Sequence, residues 1–146
     1  MKTATLLVIA LVVCVVSCTE LDGKAFLAQK AAEEGVHATG SGLLYKVIKE
    51  GSGARPPNGQ SLVSVHYRGT LIDGTEFDSS YKRGTPAEFR LSQVISGWTE
   101  ALQLMNTGST YEVYLPPEIA YGSRKVGNLI PPNSVLVFQI ELLAVL

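Results

Sequence analysis

The spacing of hydrophobic and polar positions changes several times along this chain, and each change marks an element. From Leu62 to Leu71 the two classes alternate, with Val63, Val65 and Tyr67 on one face and Ser64, His66 and Arg68 on the other, which is the period of a half-buried strand. Asp73-Gly74 supplies a tight-turn dipeptide, and Thr75-Glu76-Phe77 starts the return strand. Trp98, Ala101, Leu102 and Met105 then recur at i, i+3, i+4 and i+7. That spacing predicts a helix from Gly97 to Met105, with Ser96 as its N-cap, Glu100 in its first turn and Gly108 closing it. Alternation returns over Thr110–Leu115 and over Val135–Leu143, where Leu136, Phe138, Ile140 and Leu142 share a face. A further strand is predicted over Leu43–Lys49, followed by a Gly- and Pro-rich loop from Gly51 to Gly59. Ahead of these, Glu20–Glu34 is charged and alanine-rich, a short helix stopped by Gly35 whose only apolar stripe is Phe26, Leu27 and Ala31. Val36–Gly42 reads as a polar linker. The expected class is α+β: an antiparallel sheet wrapped around one short amphipathic helix, preceded by a short N-terminal helix.

The first residues follow a different logic. Lys2 precedes an unbroken apolar run from Leu6 to Val16, about a dozen residues where a membrane-spanning helix needs roughly 20. The run ends in Val15-Val16-Ser17-Cys18, which resembles a bacterial lipobox. Residues 1–17 are therefore expected to be an export signal of the lipoprotein type, with Cys18 lipidated and the protein held on the membrane of the bacterial envelope. The lone cysteine at that boundary favours lipidation over the alternative, ordinary cleavage after Ser17 to give a secreted soluble protein. Residues 18–40 then form a short helix and linker, and 41–146 a single domain, as the length of the chain suits. Cys14 and Cys18 are the only cysteines, so the domain has no disulfide framework and no thiol nucleophile. The 12 Lys and Arg balance 13 Asp and Glu, and no nucleic acid partner is expected.

Familiar catalytic constellations are missing from the pattern. His37 and His66 lie in linker and strand with no acidic cluster beside them, so neither a metal nor a cofactor is expected. Asp73 and Glu76 flank a turn and read as solvated charges, not as paired carboxylates. Gly51-Ser52-Gly53 lacks the Gly-Lys-Ser/Thr and the strand-to-helix setting of a phosphate loop.

The informative residues are aromatic. Val94-Ile95-Ser96-Gly97-Trp98, read with Tyr67 and Phe77-Asp78-Ser79-Ser80 upstream and with Ala120-Tyr121-Gly122, Ile130-Pro131-Pro132 and Phe138 downstream, closely resembles the FK506-binding-protein (FKBP) family of peptidyl-prolyl cis-trans isomerases. The similarity lies with its exported bacterial, macrophage-infectivity-potentiator-like branch and covers Ser41 to Leu146. It implies the FKBP half-barrel and an enzyme that rotates X–Pro bonds in exported polypeptides. Such a reaction breaks no covalent bond and needs no nucleophile or metal. Its barrier, roughly 18–20 kcal/mol, is amide resonance, and the twisted amide is less polar than the planar one, so a dry apolar pocket favours it.

Residue by residue, the resemblance implies Trp98 as the pocket floor, with Tyr67, Phe77, Phe89, Val94, Ile95 and Phe138 as walls. The Ile95 N–H and the Tyr121 hydroxyl would hold substrate carbonyls. Asp78 would stand at the rim, positioned by Tyr67 and Arg83, and Ile130 would close the far side. Proline-containing polypeptides are the implied partners, and macrolides of the FK506 and rapamycin type the implied ligands. Ala87 and Val126 depart from the family's usual aromatic or polar residues, which is expected to alter substrate preference and macrolide affinity. Only a stub remains of the helical arm that precedes the domain in related proteins, so a monomer is expected over an arm-mediated dimer. The alternative reading is a non-catalytic chaperone or docking module using the same groove.

Overall fold

The computed structural model describes residues 18–146, and the predicted export signal over residues 1–17 lies outside them. The elements follow the order α1 (Cys18–Ala31), β1 (Val36–Ala38), β2 (Leu44–Lys49), β3 (Leu62–Leu71), β4 (Glu76–Ser79), α2 (Ser80–Arg83), β5 (Ala87–Arg90), α3 (Ser96–Leu104), β6 (Thr110–Leu115) and β7 (Leu136–Val145). Single 3-10 turns lie at Leu91–Gln93 and Pro117–Ile119. All strand pairs are antiparallel, in the order β1-β2-β6-β7-β3-β4, and β5 pairs with β3 as well.

The alternation in β3 is what divides its labour. Val63, Val65 and Tyr67 point inward and are buried, while the first half of the strand pairs with β5 and the second half with β4. Along its other edge β3 pairs with β7 from Val63↔Val145 to Leu71↔Leu136. The concave face of the sheet closes on α3, whose Ala101 and Leu102 meet Leu43, Val113, Leu115, Leu136, Ile140 and Leu142 in a core with no solvent exposure. This is the α+β arrangement that the periodicity predicts.

Boundaries differ from expectation where local geometry intervenes. α3 starts one residue early: Ser96 is already helical and makes no side-chain cap, and Ile95 is the capping residue. The Ile95 carbonyl accepts the N–H groups of Trp98 and Thr99 at 3.0 and 3.2 Å. The helix ends at Leu104 with Met105 extended, and Gly108, at φ 93, serves the next turn into β6 instead of closing the helix. α1 spans Cys18–Ala31, shifted from the expected 20–34, because the chain tightens into turns after Lys30 before Gly35 at φ 83. Part of the expected linker is strand β1, paired with β2.

α1 also docks more firmly than its thin apolar stripe suggests. Phe26 packs edge-on to Tyr114 with ring centroids 6.1 Å apart, and the Lys30 ammonium lies 5.3 Å above the same tyrosine ring. Tyr114 stands on the convex face of β6, so α1 buries that face while α3 buries the other. Glu112, on the same convex face, stays half-buried and accepts the Tyr114 hydroxyl.

Gly97 occupies the tightest helix–sheet contact. A Cβ there would lie 1.8 Å from Leu115 Cδ2 and 3.0 Å from the Ile119 carbonyl oxygen. Leu115 is fully buried and has no free space to turn into, so Gly97→Ala should destabilise the fold by about 1–3 kcal/mol through overpacking, outweighing alanine's better helix propensity. Urea denaturation checks this: a lowered midpoint at unchanged slope is expected, and a variant as stable as the parent would contradict the contact.

Candidate functional site

Where the N-terminal turn of α3 meets the concave sheet, the structure leaves an open cavity of about 300 Å³. Trp98, 4% exposed, forms its floor. Three rings stand edge-on to the indole: Tyr67 at 5.1 Å and 85°, Phe138 at 5.2 Å and 86°, and Phe89 at 5.5 Å and 88°. Phe77 stands edge-on to Phe138 in turn, at 5.5 Å and 89°. Edge-to-face packing sets positive ring edges against negative ring faces, and each such pair contributes about 0.5–1.5 kcal/mol beyond its buried area. The indole Nε1 is buried with no hydrogen-bond partner, so the box around it contains no polar atom close enough to accept from it.

Each wall has a structural origin. Tyr67 is on β3, Phe77 and Asp78 on β4, Phe89 on β5 and Phe138 on β7. Gly69 is paired with both Asp78 and Phe138. A Cβ at Gly69 would stand 2.6 Å from Phe77 Cζ and 2.8 Å from Phe138 Cε1, so the missing side chain is what lets those rings meet. Val94 and Ile95 complete the lining from the segment before α3.

Polar groups gather at the mouth. The Tyr67 hydroxyl donates to Asp78 Oδ2, and Arg83 reaches both, with Nη1 2.6 Å from Asp78 Oδ1 and Nη2 3.0 Å from the Tyr67 oxygen. Asp78 Oδ1 also accepts the Ser79 N–H at 2.9 Å. Partial burial pushes the Asp78 carboxyl up, but the hydrogen bonds from Tyr67 and Arg83, the Arg83 charge and the Ser79 N–H together outweigh it and hold the group below the ordinary carboxylate range. Burial pushes the Tyr67 hydroxyl up, and its bond to Asp78 adds to that, against the opposing effect of Arg83.

The turn that delivers Arg83 is built locally. The Ser79 hydroxyl accepts from the Lys82 N–H at 3.4 Å, and Gly84 ends the turn at φ 73. Ser80, fully buried, accepts the Tyr67 N–H at 2.7 Å and lies 2.8 Å from His66 Nδ1. α2 is thereby fastened to β3 behind the cavity.

Tyr121 borders the cavity from the segment after β6. Its backbone is fixed by Gly122, whose N–H donates to the Pro117 carbonyl at 2.8 Å with φ 58. Beyond it, residues 126–130 form a flap closed by two backbone bonds between Val126 and Ile130, at 3.0 and 3.2 Å. Among the described residues, neither the Ile95 N–H nor the Tyr121 hydroxyl has a protein partner.

The structure thus gathers Tyr67, Phe77, Asp78, Phe89, Val94, Ile95, Trp98, Tyr121 and Phe138 around one cavity. Ile130 belongs instead to an adjoining hollow that shares Phe77, Asp78 and Tyr121. Arg83 stays outside the lining and acts through Asp78 and Tyr67. Gln93, which no motif singled out, joins the lining, as Gly69 joins it by its absence of bulk. A glycine inside an alternating strand was the readable signal for the latter. Gln93 had none, since one polar residue in a short connection has no period to belong to. Cys18 opens α1, apart from the cavity. Among the described residues, no three His, Cys, Asp or Glu side chains come together as a metal site.

Comparison with known proteins addresses the same segments. Residues 53–143 match the FKBP-type peptidyl-prolyl cis-trans isomerase domain, and residues 18–47 match the domain amino-terminal to it. Outer membrane protein MIP of Legionella longbeachae is 54% identical over 84% of this chain and 52% of its own length. The FKBP-type 22 kDa peptidyl-prolyl cis-trans isomerase of Escherichia coli is 53% identical over 86% of this chain and 60% of its own. The chain therefore spans about half the length of the curated relatives it matches. The crystal structure of FkpA from Escherichia coli superposes with a TM-score of 0.83 at 48% identity, covering 87% of this chain and 59% of that one. A peptidyl-prolyl cis-trans isomerase from Pseudomonas syringae gives 0.81 at 41% identity, over 86% and 92%. With its aromatic cavity on the same fold and both family segments matched in order, this chain belongs to the FKBP-type peptidyl-prolyl cis-trans isomerases.

Proposed function

We propose that this chain catalyses cis-trans rotation about X–Pro bonds of exported polypeptides. The observation that carries the reading is the aromatic box on Trp98 with two unengaged hydrogen-bonding groups, Ile95 N–H and Tyr121 hydroxyl, at its mouth. A prolyl ring entering the box leaves water. The planar amide, stabilised in water by its dipole, loses that stabilisation, while the twisted amide has less to lose. Ile95 and Tyr121 hold the carbonyls on either side, so the bond between them turns against fixed ends. Asp78, held ionised by Tyr67 and Arg83, shapes the field beside the turning carbonyl. Gln93, Val94 and the rings of Tyr67, Phe77, Phe89 and Phe138 set the fit, and Ile130 supports the flap.

The same reading covers the whole chain. Residues 1–17 serve as a lipoprotein export signal, Cys18 carries the lipid, 18–40 form the docked helix and linker, and 41–146 the isomerase domain. The names of the relatives, outer membrane protein among them, support an envelope location, and among the described residues no helix is long and apolar enough to cross a membrane. α1 folds back on its own sheet through Phe26 and Lys30, which supports a monomer. Macrolides of the FK506 and rapamycin type fit the same box, more weakly where Ala87 leaves a wall short.

A protease-coupled assay on proline peptides tests the activity. Turnover of a neutral peptide is expected to stay nearly flat from about pH 6 to 8, since no histidine lines the cavity and Asp78 is already ionised there. Chelators should leave it unchanged. Tyr121→Phe removes one neutral hydrogen bond, about 1 kcal/mol, and should slow kcat/KM several-fold. No acceleration by the parent protein, with peptide binding retained, would leave only the docking reading.

Asp78 also ties stability to acid pH. Its carboxyl titrates near 3.9 in an unfolded chain and lower in the folded one. The stabilisation from the Tyr67–Asp78–Arg83 trio is therefore complete above about pH 5 and is lost as pH falls through the folded value. Denaturation midpoints of the parent and Asp78→Asn should differ by a constant amount from about pH 5 to 8 and converge in stronger acid. A gap that widens in acid would contradict the assigned direction.

Cys18→Ser tests the anchor. Two acyl chains hold a protein on a membrane where one binds only marginally, so the variant should leave the membrane fraction while keeping its fold and activity. Continued pelleting with membranes in detergent-free buffer would refute lipidation.

A further inference from the structure

The start of α1 and the flap of the prolyl cavity lie at the same end of the sheet. α1 begins at Cys18, and Asp22 follows after about 6 Å of helical rise. Asp22 and Gly23 share a groove with Leu71 and Asp73 of the β3–β4 hairpin and with Pro131 and Val135. Gly23 is buried against Val135, where an added Cβ would come within 3.0 Å of Cγ2. Pro131 continues directly from the 126–130 flap, whose hollow shares Phe77, Asp78 and Tyr121 with the prolyl cavity. The sheet register agrees, since Leu71 and Leu115 both pair with Leu136 at this end, while Val63 pairs with Val145 at the other.

The flap and the two residues leading into it have a particular composition. Leu129 is 52% exposed, beside exposed Gly127 and Asn128. Arg124 and Lys125 are exposed as well and take part in none of the ion pairs found among the described residues. An unpaired apolar side chain next to free cations matches the chemistry of an anionic lipid interface. The leucine can enter below the headgroups while guanidinium and ammonium meet the phosphates. Asp22 and Asp73 line the groove beside Pro131 and are repelled by the same surface, which favours contact through the flap.

We propose that the flap and the two residues leading into it, through Leu129, Arg124 and Lys125, form a membrane-contact surface for anionic phospholipid, and that a chain anchored at Cys18 works with its prolyl groove at the bilayer surface. The proposal rests on the lipid-anchor reading. It assigns the substrates a place: proline-bearing segments at the membrane surface, before they move away from it.

The test uses the full chain, exported, purified from membranes and reconstituted on phosphatidylcholine vesicles with or without phosphatidylglycerol. Mass measurement and flotation report acylation and anchoring. An environment-sensitive nitrobenzoxadiazole label is placed at Leu129→Cys or, as a control at the opposite end of β2, at Ile48→Cys, which is 53% exposed. The label at 129 is expected to brighten and shift to the blue on phosphatidylglycerol-containing vesicles, and the label at 48 to stay as in water. Arg124→Glu with Lys125→Glu should abolish the response at 129 while flotation persists, and about 1 M salt, which shortens the Debye length to roughly 3 Å, should reduce it. A floating, acylated chain whose label at 129 remains in water, or responds no more than the label at 48, overturns the membrane-contact surface alone. A chain that is neither acylated nor floating overturns the anchor reading and this proposal with it.

Discussion

The indole of Trp98 is the constraint on which the rest depends. Its ring must lie where β3, β5 and β7 can each send one aromatic edge against it, and only a helix seated deep in the sheet puts it there. That seating requires Gly97, since any side chain would strike Leu115. The meeting of Phe77 and Phe138 requires Gly69 in the same way. Two residues with no side chain therefore decide whether five rings can form a box. The rings in turn close the core above α3, so the cavity is continuous with the interior of the protein and as rigid as that interior.

Rigidity suits the X–Pro rotation proposed for this chain, which breaks no covalent bond. In that reading nothing in the box must donate or accept a proton. The ionisable groups nearby, Asp78, Tyr67 and Arg83, are locked to one another and fixed at the rim. Their perturbed titration serves to keep a charge in one place, and the apolar floor keeps water out of another. The orphaned indole N–H is consistent with this division, because an acceptor placed beside it would bring polarity to the floor.

Much of this was readable from residue order. β2, β3, β6 and β7 and the helix α3 are long enough to show a period, and the aromatic motifs around Trp98 converge in space as the family resemblance implies. The elements that escaped are short. α2 has four residues and depends on the Ser79 hydroxyl and on Gly84 at φ 73, and β5 has four residues, too few to establish alternation. Ser96 looked like an N-cap because serine favours that position, yet the turn begins one residue earlier at Ile95. The contribution of Gln93, the bracing of α2 by Ser80 and the docking of α1 on Tyr114 are contacts across the fold, and no local pattern encodes them.

β7 carries Phe138 in the middle of the sheet, between β6 and β3, although it comes last in chain order. β3 must therefore wait for a partner some seventy positions away in sequence before its inner edge is satisfied. Contacts of such long range make folding slow, and they also set its timing. Until β7 is in place, the box lacks a wall and the sheet lacks its centre. The aromatic box exists only when β7 has paired with both β6 and β3, so it is a product of the completed sheet and of no single local segment.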